Sequence, residues 1–253
     1  MNTLDPGGLA LVAAAALVAA AINAAAGGGS LLTYPALLLV GLPPLAANVT
    51  STIGLVGGYA GGTAVYQDLL RSQGRRALLL GGVSVAGAVT GVLLLLRLSG
   101  AAFAAVVPWL ILFSCGLLAA QPLLRRGLAG RDGDGSNGRH AGLGAGTFCG
   151  AVYGAYFGAG LGVLTLAVLG TFLRDDLQRL NALKGVLSLV INAVAAVSFA
   201  LFAPVKWDAV AVMLPVSIAG GFLGAWLARR VSSVALRVVV VAVGVAVAVR
   251  LLV

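Results

Sequence analysis

The sequence predicts an all-α fold, a polytopic transmembrane helical bundle made of two inverted-topology repeats of about five helical segments each. Three observations predict it. Apolar residues make up 60% of the 253 residues and charged residues only 9%, and mean hydropathy is +1.08, whereas a soluble domain carries roughly 25% charged residues. The basic residues gather in short groups, Arg71/Arg75/Arg76, Arg125/Arg126, Arg131/Arg139, Arg174/Arg179 and Arg229/Arg230, and none precedes Arg71. Between the groups lie apolar stretches such as 77–96 and 101–124, each about the 20 residues that cross a bilayer as a helix. The third observation is a repeat at a constant offset.

Gly27 and Gly29 recur as Gly160 and Gly162, an offset of 133 (160 − 27). At the same offset Asn48 meets Asn181, and Ser84, Ala86, Gly87 and Gly91 meet Ser217, Ala219, Gly220 and Gly224. Arg97 and Ser99 meet Arg230 and Ser232. An ungapped offset held over about 75 residues marks an internal duplication. The halves are 1–124 and 141–253, joined by the Gly-, Arg- and Asp-rich linker 125–140.

In chain order, the first half shows apolar segments at about 9–26, 30–42, 45–67, 76–97 and 101–123. The first resembles a secretory leader with an Ala24-Ala25-Ala26 site, but it has no basic flank, only Asp5, and its repeat partner marks it as a mature helix. The second begins at Gly27-Gly28-Gly29 and ends at Pro43-Pro44. At 1.5 Å per residue it spans about 20 Å, short of the roughly 30 Å hydrocarbon core. The first two segments therefore read as a broken or re-entrant pair with a glycine turn at membrane depth. The second half repeats the pattern at about 141–158, 162–173, 176–202, 207–229 and 234–252. Five segments per half invert the second half relative to the first. The positive-inside rule then places the arginine groups and the central linker in the cytoplasm and both termini outside, with only Arg97, Lys206 and Arg250 on the outer side. This orientation fits a multi-pass protein of a cell inner (plasma) membrane.

Two constellations carry candidate chemistry. The glycine breaks, Gly27-Gly28-Gly29 and Gly158-Ala-Gly160-Leu-Gly162, each precede a short helix. A half-helix N-terminus offers unpaired N–H groups and a positive dipole to an anion, and interrupted helices at matching positions of two halves point to a transporter site. The stripe Gly142, Gly146, Gly150, Gly154, Gly158 and Gly162, one every fourth residue, also reads as a surface for close helix packing. The third segments supply Asn48 and Ser51 in the first half and Asn181, Lys184 and Asn192 in the second, with Ser51 opposite Lys184 in the repeat. An ammonium two turns into an apolar helix is a functional-site hypothesis by default; its alternative is snorkelling to the interface. Asn192 and Asn23 serve equally well as helix–helix glue.

Several classes are excluded. The net charge of +9 sits at the ends of spans and forms no contiguous face, so it predicts no nucleic-acid partner. There is no Glu, and the seven Asp lie near loops or segment ends, which leaves no carboxylate relay or carboxylate cation site. The single His140 is in the linker, expected solvated, so no nucleophile–base set exists and the chain is not read as an enzyme. Cys115 and Cys149 lack metal spacing and read as small residues buried in helix packing. Asp132-Gly-Asp134-Gly-Ser136 lacks the sixth-position Gly and twelfth-position Glu of a calcium loop and reads as linker. No metal and no cofactor is expected.

The runs AAGGGSLLTYPALLLVGLPPLAANVTSTIG and YGAYFGAGLGVLTLAVLG, followed by DLQRLNALKGVLSLVINAVAAVSF, resemble the sulfite exporter TauE/SafE family, also called the 4-toluene sulfonate uptake permease family. The resemblance covers about residues 8–252. It implies a multi-pass transporter of sulfur-containing anions such as sulfite or organosulfonates. It points to the glycines at 27–29 and 158–162 and to Asn48, Asn181 and Lys184. The expectation is export by alternating access, from a possible homo-oligomer in the lipid bilayer. Uptake or uniport of the same anions is one rival, and a membrane scaffold without a transported ligand is another. A polar cavity at the glycine breaks favours transport; a dry, packed midplane favours the scaffold.

Overall fold

A computed structural model describes residues 3–25, 27–128, 136–228 and 234–252. The described residues form helices and no strand. The first half contains α1 (Pro6–Ala25), α2 (Ser30–Leu39), α3 (Pro44–Ala64), the short α4 (Gln67–Arg71), α5 (Gly74–Arg97) and α6 (Gly100–Leu128). The second contains α7 (Ser136–Tyr156), α8 (Leu161–Phe172), α9 (Leu177–Phe202), α10 (Trp207–Ala228) and α11 (Val234–Leu252). Five of them, α1, α5, α6, α9 and α10, contain windows long and apolar enough to cross a membrane. All ten expected segments are helical, and α4 is additional.

The short helices are the returning arms of hairpins. Gly142, Gly146, Gly150 and Gly154 of α7 face Phe172, Val168, Leu164 and Leu161 of α8 in that order, which fixes the two as antiparallel. The glycine stripe is thus the packing surface of α7 against α8. In the first half, Gly29 abuts the Ala19 carbonyl, and Gly8 faces Val40 just past the end of α2. α2 therefore runs back along α1 to the side from which α1 entered. With 10 residues it spans about 15 Å, half of a hydrocarbon core.

α3 is the central helix. Fifteen of its 21 residues are buried, so it meets protein rather than lipid on most of its surface. That explains why it tolerates Asn48, Thr50, Ser51, Thr52 and five glycines where a lipid-facing helix would not. The glycines bring neighbours close: Gly54 meets Met213, Gly57 meets the Leu214 carbonyl at 2.7 Å from where a Cβ would stand, and Gly58 meets Ala20. The principal helix contacts are α3 with α10, α1 with α10, α5 with α7, α5 with α9, and α3 with α9.

Inside the stretch 125–140 read as the linker, α6 continues to Leu128 and α7 begins at Ser136. Charged residues mark where a helix leaves lipid, not where it stops, because Arg is a good helix former in water. Residues 129–135, with Arg131, Asp132 and Asp134, lie outside the described residues, as do Arg229, Arg230 and Ser232. One expectation needs correction: Cys115 is buried as expected, but Cys149 is exposed.

Charged contacts tie together the loops expected on one side. Arg76 pairs with Asp175 at 2.8 Å, and Asp175 also lies 3.2 Å from Arg179. The Gln73 amide donates to the carbonyls of Leu69 and Arg179. At the opposite end Lys206 pairs with Asp208 at 3.2 Å, the Leu4 N–H donates to Asp208, and the Lys206 N–H donates to Thr50 Oγ1.

Candidate functional site

Both hairpins break at the centre of the bundle, and the breaks touch. A Cβ on Gly27 would lie 2.8 Å from the Val163 nitrogen and 2.9 Å from Gly162. Gly27 and Gly28 have φ of 83° and 97°, and Gly158 and Gly160 have φ of 76°. These left-handed conformations require glycine, so the sequence places glycine where the chain turns back within the bundle. Gly28 packs on Leu118, and Gly160 faces Ser114 of α6.

The start of α2 is already furnished with an acceptor. Asn23 Oδ1 accepts from the Gly29 N–H at 2.6 Å. This amide, which the sequence left as possible glue, occupies the anion-like position at the start of α2. At the second break the Ala159 carbonyl accepts from Ser114 Oγ and Tyr153 Oη, so the carbonyl turned out of the helix by Gly158 and Gly160 is satisfied within the protein. Leaving such a group unpaired in a dry interior costs about 1–3 kcal/mol.

Beside the crossing lies a small polar cavity of about 10 Å³, enough for about one water. It is lined by Ser30 and Tyr34 of α2, Asn48, Ser51, Thr52 and Leu55 of α3, Phe157, Gly158 and Ala159 of the second break, and Asn192 of α9. Asn48 Nδ2 donates to the Tyr156 carbonyl at 3.0 Å. Ser51 and Thr33 share a 2.6 Å hydroxyl–hydroxyl bond. Asn192 Nδ2 donates to the Ser188 carbonyl, and the Tyr59 hydroxyl lies beside Ser30 and Asn192. Tyr34 is 3% exposed, packs edge-on against Phe157 at 5.6 Å, and keeps a buried hydroxyl without a hydrogen-bond partner. Such a donor, buried in a polar cavity, is a group for a ligand or water to satisfy.

The residues singled out in the sequence divide accordingly. Asn48, Ser51, Gly158 and Asn192 line the cavity. Gly27 and Gly162 form the crossing, and Lys184 stands next to it, its Cδ 3.7 Å from a Cβ built on Gly162. Lys184 does not snorkel: it is 4% exposed, and its ammonium donates to the Ala24 carbonyl at 3.4 Å. That carbonyl belongs to the last turn of α1, where the helix dipole favours a cation. Asn181 is buried with its Oδ1 unpaired, but it does not line the cavity. Gly28 packs on Leu118 of α6 and Gly29 on Ala19 of α1. Sequence reasoning missed Ser30, Tyr34, Thr52, Tyr59 and Phe157; Tyr34, one turn past the break, was the one signal available for them.

A helical bundle with five helices long and apolar enough to cross a membrane, and two hairpins that break within the bundle beside a polar pocket, defines a multi-pass membrane protein with a buried polar centre. The chain belongs to the sulfite exporter TauE/SafE family, whose model, described as Sulfite exporter TauE/SafE, matches residues 12–251. It is therefore a member of a family of membrane transporters of sulfur anions such as sulfite, and not of an enzyme family. Neither a curated protein nor a solved structure matches the chain.

Proposed function

We propose that the chain is an alternating-access carrier exporting sulfite or an organosulfonate, with the anion held in the cavity between α2, α3, the second break and α9. The observation that carries this reading is the cavity itself. It lies between the two halves, is ringed by amide and hydroxyl groups, and holds the unpaired Tyr34 hydroxyl. Lys184 supplies a buried positive charge at the adjacent crossing, which attracts an anion into a low-dielectric site where a carboxylate would repel it.

An inverted arrangement of two halves fits the mechanism. Helix starts recur at the sequence offset, Pro44 with Leu177 and Gly74 with Trp207. Helix contacts also exchange between halves: α1 with α10 and α7 with α5, α3 with α10 and α9 with α5, α2 with α11 and α8 with α6. Two bundles related in this way, meeting along α3 and α9, rock about the cavity. A pocket with room for about one water is too small for a sulfur oxyanion, so this conformation is the closed state between openings. The inner membrane, with the arginine-rich loops in the cytoplasm and both termini outside, completes the reading.

The test is flux in proteoliposomes against sulfite, sulfoacetate, thiosulfate and sulfate, with gradients imposed in each direction. Removing one hydrogen bond to a charged ligand costs about 1.5–3 kcal/mol, so Asn48→Ala and Asn192→Ala are each expected to lower sulfite flux about tenfold or more, with thermal midpoints in detergent near wild type. Asn181→Ala and Lys184→Ala probe the crossing. Wild-type flux in all four variants would sink the site assignment.

A further inference from the structure

At the arginine-rich end of the molecule, away from the central site, lies a cleft of about 720 Å³ between the start of α5, the start of α7 and the α8–α9 connection. Its polar wall carries Arg75, Arg76, Arg174 and Arg179 with Ser72 and His140. Four guanidinium groups face one lining carboxylate, Asp175. Asp176 caps α9 through the Gln178 N–H and is not part of the lining. Arg76, Leu79, His140 and Arg174 also line a second, contiguous groove of about 640 Å³. Its wall is apolar, formed by Leu80, Val83, Leu143, Phe172 and Leu173.

The depth of this cleft follows from its neighbours. Leu78 and Leu79 are 78% and 62% exposed, so the first turns of α5 face lipid tails. Arg75 and Arg76, one turn earlier, then lie at the headgroup level. α5 and α7 pack tightly farther along, where Gly87 and Gly91 meet the backbone of Phe148 and Val152, and they splay toward this end to leave the groove. A cationic pocket at headgroup depth that continues into an apolar trough has the shape and charge of one ligand class. We propose that it binds an anionic phospholipid of the adjoining leaflet, its phosphate among the arginines and an acyl chain along the α5–α7 groove. Planar guanidinium groups suit a bidentate phosphate contact, and the single carboxylate orients Arg76 and Arg179 without cancelling the site.

The experiment is native mass spectrometry of the full-length, delipidated protein in detergent, titrated with phosphatidylglycerol and with phosphatidylcholine of identical chains. Phosphatidylglycerol is expected to stay bound where phosphatidylcholine does not. R75Q/R174Q is expected to lower its occupancy about tenfold or more, while R75K/R174K, which keeps the charge but not the bidentate fork, is expected to lose less; the contrast separates a lost site from a lost fold. Leu143→Trp fills the groove and is expected to weaken the lipid with the arginines intact. Equal binding of both lipids, or full retention by R75Q/R174Q, would overturn the proposal. Stabilisation of the lipid-free protein by inorganic phosphate, matching that by phosphatidylglycerol, would also overturn it and make the cleft a mouth for soluble anions. The lipid site stands independently of the carrier reading, since its readout involves no flux.

Discussion

Two glycines with nearly the same backbone show how position, rather than conformation, makes a residue critical. Gly27 and Gly41 have φ of 83° and 86°, so alanine at either is strained by about 1–2 kcal/mol. At Gly41 an added Cβ meets nothing within 4 Å, whereas at Gly27 it lies 2.8 Å from the Val163 nitrogen. Gly41→Ala is therefore expected to lower the thermal midpoint slightly and leave sulfite flux intact. Gly27→Ala is expected to force the two breaks apart and abolish flux, and similar behaviour of the two variants would show that the crossing has slack. The same contrast explains which site residues were legible in the sequence. Asn48, Ser51 and Asn192 stood out because an amide or hydroxyl in an apolar run needs a reason. Ser30, Tyr34 and Phe157 did not, because serine and aromatic residues are ordinary in membrane helices; the folding of α2 back along α1 brings Ser30 and Tyr34 to the cavity, and the turn after α7 brings Phe157. Lys184 was legible as an expensive charge, but not as a partner of the Ala24 carbonyl, which depends on where α1 ends.

At the scale of the element, the ten main helices were legible because lipid enforces both length and apolarity. The expected 176–202 and 207–229 became Leu177–Phe202 and Trp207–Ala228. The rule weakens where its cause does. α4, five residues with no buried member, is too short and too polar for any membrane signal. α6 continues past its apolar stretch to Leu128 because water ends the lipid constraint but not the helix. The contacts between helices were visible only as glycine spacing. Among these, Gly91 of α5 fits against the Val152 carbonyl of α7, and its Cβ would stand 3.1 Å from Ala155. Gly116 of α6 has nothing within 4 Å. Overpacking a close helix contact costs about 1–3 kcal/mol, so Gly91→Val is expected to reduce the monodisperse fraction in fluorescence-detected size-exclusion chromatography. Gly116→Val is the matched control, adding the same bulk toward open space. Equal profiles would mean that α5 and α7 do not depend on that contact.

For the whole molecule, the closed cavity implies that α3 and α9 must part on one side at a time if the chain is an alternating-access carrier. Near the arginine-rich end these helices meet at Thr63 and Gly185: a Cβ on Gly185 would stand 3.9 Å from the Thr63 Cα and 3.2 Å from its hydroxyl. The Thr63 hydroxyl has no hydrogen-bond partner, so replacing it leaves no other group unsatisfied. With Oγ1 and Cα of Thr63 this close, its Cβ stands just over 4 Å away, within the Cβ separation of about 3.5–4.5 Å found in disulfides. The variant T63C/G185C, with the native cysteines removed as C115A/C149A, is therefore expected to cross-link on mild oxidation. Closing this bond pins the two bundles together on the side where the charged loops meet. Sulfite flux is expected to stop on oxidation and to recover on reduction, with each single-cysteine variant insensitive to both. A channel with a fixed path along α3 and α9 would behave differently, since a bond between two helices already in contact narrows nothing. Undiminished flux through the fully cross-linked protein, confirmed by its mass, would thus exclude opening at this end and with it the rocking of the two bundles.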